Sequence, residues 1–127
     1  MSVLLLFIDG VGLGDEADYN PWYALPTPAL NRLLSGRSLT KAAVGRHADD
    51  VQMLATDAGL GVPGLPQSAT GQATIFTGRN AAQFLGRHMS GWPFQRLRQF
   101  VREDNLYLQL ERNGLQPTFS NCYTEEY

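Results

Sequence analysis

The 127-residue chain, 43% hydrophobic and 17% charged, has the length of one domain and enough apolar side chains for a core, which excludes a disordered tail. Ten basic against twelve acidic side chains leave a net charge of −2, without the basic excess that general nucleic-acid binding needs. The single cysteine, Cys122, excludes an internal disulfide and a cysteine-based zinc finger, and reads as a small buried residue.

The run Val3-Leu4-Leu5-Leu6-Phe7-Ile8 is apolar without alternation and closes on Asp9-Gly10. Such a run suits a strand covered on both faces, as in a parallel sheet flanked by helices. It is too short to span a bilayer and lacks the basic start of a signal peptide, so a cytoplasmic protein without membrane contact is expected. A loop rich in Gly, Asp and Pro follows. Residues 27–36, TPALNRLLSG, form a short helix with Thr27 as cap, Pro28 at the first position and Gly36 near the stop. Leu30, Leu33 and Leu34 make its buried stripe.

Residues 37–50 read as loop with room for a short strand, and residues 51–64 as a second strand that breaks at its glycines. Residues 68–78, SATGQATIFTG, predict a helix with Ser68 at its mouth and Gly78 at its end. NAAQFLG gives another short helical turn. PFQRLRQFVRED carries Phe94, Leu97, Phe100 and Val101 at helical spacing, with Arg96, Arg98 and Arg102 on a solvated face, and NLYLQLERNG repeats the pattern up to Gly114. Trp92 and Phe94 are expected in the core. A further strand is expected from Leu115 onward. This order predicts an α/β fold, a single domain over residues 1–127, built as a three-layer sandwich with a mainly parallel sheet that reads as incomplete.

Three glycines, Gly10, Gly12 and Gly14, invite a dinucleotide-binding reading. Asp15 stands where that fingerprint needs its third glycine, and the loop that follows opens no helix. Asp9 is more informative. A carboxylate beyond the carboxyl end of a strand is a natural ligand for a divalent cation, and equally a cap for the next turn. Ser68, approached through Gly61, Pro63, Gly64 and Pro66, falls at a helix start. There the amides of Ala69, Thr70 and Gly71 and the helix dipole favour an anion or an alkoxide, whereas the plain alternative is an N-cap serine. Neither a nucleophile elbow nor a Walker-type loop fits: Pro66 and Thr70 occupy the elbow's glycine positions, and Lys41 lies far upstream.

Asp9 and Ser68 together carry a resemblance. LLLFIDGVG and LPQSATGQATIFTGRNAA, and more loosely GRHMSGWP and LERNGLQPTFSNCYTEEY, resemble the alkaline phosphatase superfamily, nearest its branch of cofactor-independent phosphoglycerate mutase and phosphopentomutase. The resemblance implies the N-terminal half of such a fold, with Asp9 a metal ligand and Ser68 both metal ligand and phosphate-accepting nucleophile. It implies divalent manganese or zinc, two ions in the full site, and a phosphorylated small molecule as substrate.

Two departures qualify it. Gln72 stands where that branch has histidine, and glutamine cannot shuttle a proton. The remaining Asp and His ligands of the family have no counterpart here, since only His47 and His88 are present; His47 reads as a solvated loop residue and His88 as better placed to face a crevice. The expectation is therefore a metal-dependent phosphatase or phosphomutase whose other ligands come from a missing C-terminal half or another chain. A non-catalytic fragment or degenerate homologue, acting as a binding or assembly module, is the second expectation. Asp57, Arg79, Gln72 and His88 complete the candidate site. Asp57 has a turn-capping alternative, Arg79 a plain surface one and His88 a structural one.

Overall fold

The computed structural model describes residues 2–121. The chain divides into two compact units, Met1–Asp57 and Ala58–Tyr127. Among the described residues, no helix is long and apolar enough to cross a membrane.

The first unit overturns the expected sandwich. Residues 3–8 are not a strand, and none of their backbone groups joins a hydrogen bond within the described residues. Their six side chains are exposed, from 42% at Phe7 to 87% at Leu4. The only sheet among the described residues is a two-stranded antiparallel hairpin, β1 (Gly45–Ala48) and β2 (Val51–Met53), with Gly45 opposite Met53 and an irregularity between Arg46 and Ala48. A parallel sheet needs crossover connections of a dozen or more residues, whereas Asp49-Asp50 only turns the chain back on itself. The expected second strand thus shrinks to three residues of opposite sense, and residues 115–121 form no strand. Later residues of that expected strand, with Cys122, lie outside the described residues.

Two short helices precede the hairpin, α1 (Pro21–Ala24) and α2 (Pro28–Leu33), each opened by a proline at its first position. Of the leucine stripe on α2, Leu34 is buried and Leu33 exposed. Asn20 organises this region. Its Oδ1 accepts the Trp22 amide at 3.1 Å, capping α1, and its Nδ2 donates to the Asp15 carbonyl at 2.8 Å. A Cβ on Gly14 would stand 2.7 Å from that Nδ2. Gly14 is therefore glycine for the sake of the Asn20 clamp, a packing reason within the run that suggested a dinucleotide fingerprint.

Four helices build the second unit: α3 (Ser68–Thr77), α4 (Ala81–Leu85), α5 (Gln95–Glu103) and α6 (Leu106–Arg112). Their ends follow local chemistry. Gly78, in the left-handed region at φ 66°, closes α3, a conformation that costs glycine little. Asn80 and Asn105 cap α4 and α6 by accepting the amides of Gln83 and Leu108. The core is small: Ala73, Ala81, Leu97 and Phe100, with Ala69, Leu85, Met89 and Val101 packed against it. Trp92, expected inside, is 63% exposed, and Phe94 is also exposed: Trp92 lies on the Gly91-Pro93 turn and Phe94 is the N-cap of α5, so neither lies on the buried face of that helix.

Gly14→Ala should destabilise the first unit by about 1–2 kcal/mol through loss of the Asn20 hydrogen bonds. Gly12→Ala, with open space around it, should change stability little. Amide hydrogen exchange of residues 20–24 in the two variants checks this, and equal protection would refute it.

Candidate functional site

Ser68 is the first residue of α3, one position past the cap. The N-cap is Gln67, in extended conformation and without a side-chain capping bond. The Gln67 carbonyl accepts the Gly71 amide at 2.9 Å and the Thr70 hydroxyl at 3.2 Å. Ser68 itself supplies no cap. It borders an open groove of about 600 Å³ between α3, the Gly91–Pro93 turn and α5. Gln72 and Phe76 follow it along the same helical face, one and two turns on, and Trp92, Leu97 and Val101 line the opposite side.

The other face of α3 is locked by threonines. The Thr70 hydroxyl accepts the Met89 amide at 3.2 Å. Thr74 Oγ1 donates to the Thr70 carbonyl at 2.8 Å and accepts the Ala81 amide at 3.0 Å. Thr77 Oγ1 donates to the Ala73 carbonyl at 2.7 Å and accepts the Arg79 amide at 3.2 Å. Each hydroxyl thus bonds back along the helix and receives an amide from chain that follows it.

Met89 completes the arrangement from its carbonyl side. That oxygen accepts the amides of Ala69 at 3.1 Å and Thr70 at 3.3 Å. The place at the helix start expected to hold an anion is filled by the chain's own carbonyl. The third amide of the expected cradle, that of Gly71, makes the ordinary helical bond to Gln67.

The remaining candidates are distributed. Arg79 donates to the Phe100 carbonyl, pairs with Glu103 at 3.4 Å and lies 3.9 Å from the centre of the Phe100 ring, which ties α3 to α5. His88 Nε2 meets the Val62 carbonyl at 3.1 Å and holds the glycine–proline loop in place. His47 Nε2 lies 2.6 Å from the Ala43 carbonyl in the first unit, so it is a bonded residue rather than a solvated one. Asp9 also belongs to the first unit, where its Oδ1 accepts the neighbouring Gly10 amide at 2.9 Å. Asp57 is the last residue of that unit. The groove thus brings together Ser68, Ala69 and Gln72, and Arg79 and His88 are engaged elsewhere in the second unit.

The metal ions implied by the resemblance find no set of ligands here. Among the described residues, no group of three or more His, Cys, Asp or Glu side chains is arranged to hold a cation. The described residues therefore do not fit such a centre by themselves. Trp92 and Phe76, which the sequence reading assigned to packing or passed over, are groove residues; the Gly91-Trp92-Pro93 triplet is the sequence signal that an aromatic is held at a turn. Comparison with known protein families, with curated proteins and with solved structures gives no match.

Thr70→Val should cost about 1–3 kcal/mol, because it removes the fully buried hydroxyl that accepts the Met89 amide. Ser68→Ala should stay within about 0.5 kcal/mol of the parent chain, because Ser68 caps nothing. Denaturant unfolding of both variants tests the contrast; a large loss at Ser68 would return it to a structural role.

Proposed function

We propose that this chain carries the phosphate-accepting serine of a cytoplasmic, metal-dependent phosphoryl-transfer enzyme, a phosphatase or phosphomutase, whose cation ligands lie mainly on another polypeptide segment. The observation that carries the proposal is the position of Ser68: first in α3, bordering the groove and not used as a cap. Support comes also from the motif LPQSATGQATIFTGRNAA, and from a total of two histidines, too few to complete a two-ion site here.

In the transfer, Ser68 Oγ bonds to phosphorus as the ester P–O bond breaks. The leaving alcohol departs with the bonding electron pair and ends with the proton lost by the serine hydroxyl. Gln72, one turn along, has an amide NH₂ that donates to a phosphate oxygen, but it carries no proton in either direction. The substrate approaches from the groove side, since Met89 closes the amides of Ala69 and Thr70.

A second reading, a non-catalytic binding or assembly module, is favoured by that closure and by the structural bonds of Arg79 and His88. Tagged protein purified from its native source separates the two. Under the first reading it contains a further His- and Asp-rich polypeptide or a longer form of this one, hydrolyses 4-nitrophenyl phosphate with added manganese, and loses that activity more than about a thousandfold in Ser68→Ala. Retained turnover in Ser68→Ala overturns the assignment. A lone 14.0 kDa chain without turnover overturns the first reading.

A further inference from the structure

Two places in the sequence set an aspartate or asparagine immediately before glycine, Asp9-Gly10 and Asn113-Gly114. Both pairs invite the same rearrangement: the nitrogen of a glycine, with no side chain in the way, can attack the side-chain carbonyl carbon one residue back and close a five-membered ring. By sequence Asn113 is the more reactive, since an amide carbon accepts a nucleophile more readily than an ionised carboxylate does. Both pairs are exposed, so access does not separate them. Hydrogen bonding does.

Asn113 is held at the end of α6. Its Nδ2 donates to the Gln109 carbonyl at 2.8 Å, and the Gly114 amide donates to the Glu111 carbonyl at 2.9 Å. The side chain is turned back along the helix, and the nitrogen that must attack is engaged by another group. Ring closure there needs both bonds opened together, a local unwinding of the last turn. Asp9-Gly10 has no such restraint. Residues 2–10 lie outside helix and strand. The Gly10 amide donates to Asp9 Oδ1 at 2.9 Å, so the nitrogen already stands beside the carboxyl group it must attack. Among the described residues, no backbone carbonyl accepts that amide. Gly10 sits at φ 74° with open space where a side chain would stand, which leaves the turn free to adjust.

We infer that Asp9-Gly10 is a site of isoaspartate formation in the folded chain, and that folding shields Asn113-Gly114 from the same chemistry. The Gly10 nitrogen bonds to Asp9 Cγ, the amide proton leaves with the carboxyl hydroxyl as water, and a succinimide forms. Water then adds to one of the two ring carbonyls. Addition at Cγ breaks the new bond and restores aspartate. Addition at the α-carbonyl carbon breaks its bond to the Gly10 nitrogen and leaves isoaspartate, with the chain running through Cβ and Cγ and a free α-carboxylate. The product lengthens the backbone by one methylene and moves the carboxylate of the residue that the sequence resemblance implies as a cation ligand. The rearrangement stands apart from the phosphoryl-transfer reading, since it uses neither Ser68 nor a cation.

The test incubates the full chain, folded and in denaturant, at neutral pH in water enriched in heavy oxygen. The digested peptides are then labelled with a protein isoaspartyl methyltransferase and a radioactive methyl donor. Fragmentation of the peptides locates the label and the heavy oxygen that ring opening adds. Asp9 should react in the folded chain within about threefold of its rate in the denatured chain, because no bond has to open first. Asn113 should react at least about tenfold more slowly folded than denatured, because two hydrogen bonds hold it. Asp9→Glu should abolish the label at that position, since its ring would need six members, and should leave Asn113 unchanged. A larger slowing at Asp9 or a smaller one at Asn113 overturns the inference. So does label that persists at position 9 in Asp9→Glu.

Discussion

The second unit depends on a reciprocal link between the start of α3 and Met89. The Met89 carbonyl accepts two amides from the first turn of the helix, and the Met89 amide is accepted by the Thr70 hydroxyl. Thr70 is fully buried, so its own polar groups have no water to fall back on. Breaking one side of the link leaves the other side unsatisfied, which makes the pair harder to lose than two separate surface bonds. The apolar core beside it is modest, two alanines with Leu97 and Phe100, so polar links carry a larger share of the stability than they do in a large domain. Thr74 and Thr77 extend the same device and attach α3 to the segments that lead into α4.

This link also shapes the groove chemically. Because a neutral carbonyl satisfies the first amides of α3, the helix start is not an open anion cradle, and Ser68 faces the groove without it. The arginines reinforce that neutrality. Arg79, Phe100, Phe84 and Arg96 form one stack, with successive spacings of 3.9, 4.5 and 4.7 Å, so the guanidinium groups bind α3, α4 and α5 together. Cations that the sequence places near Ser68 are thereby committed to packing. Among the described residues lining the groove, an amide, the Trp92 and Phe76 rings and aliphatic side chains accompany the serine.

Much of this unit was legible in advance because its signals are local. Gly78 after Thr77, Asn80 before Ala81 and Asn105 before Leu106 mark helix ends through bonds that span only a few residues. The spacing of Leu97 and Phe100 identified the buried face of α5 for the same reason. Ser68 at a helix start was readable too, although its position past the cap was not, since Gln67 is a poor capping residue and sequence favours serine there.

The apolar run at residues 3–8 shows where such reading stops. Composition makes it strand-like, but a strand exists only when another strand accepts from its amides and donates to its carbonyls, and none of the described residues does so. The roles of Arg79, His88 and Met89 likewise come from partners 19 to 26 residues away, a separation at which spacing carries no information: Arg79 with Phe100, His88 with Val62, and Met89 with Thr70. Sequence alone determined the helices of the second unit and the serine at the mouth of α3. Tertiary contacts decided that the helix-start amides are closed, that the arginines are engaged and that Trp92 lines a groove, because each of these depends on which distant group arrives to satisfy a donor, a charge or a ring.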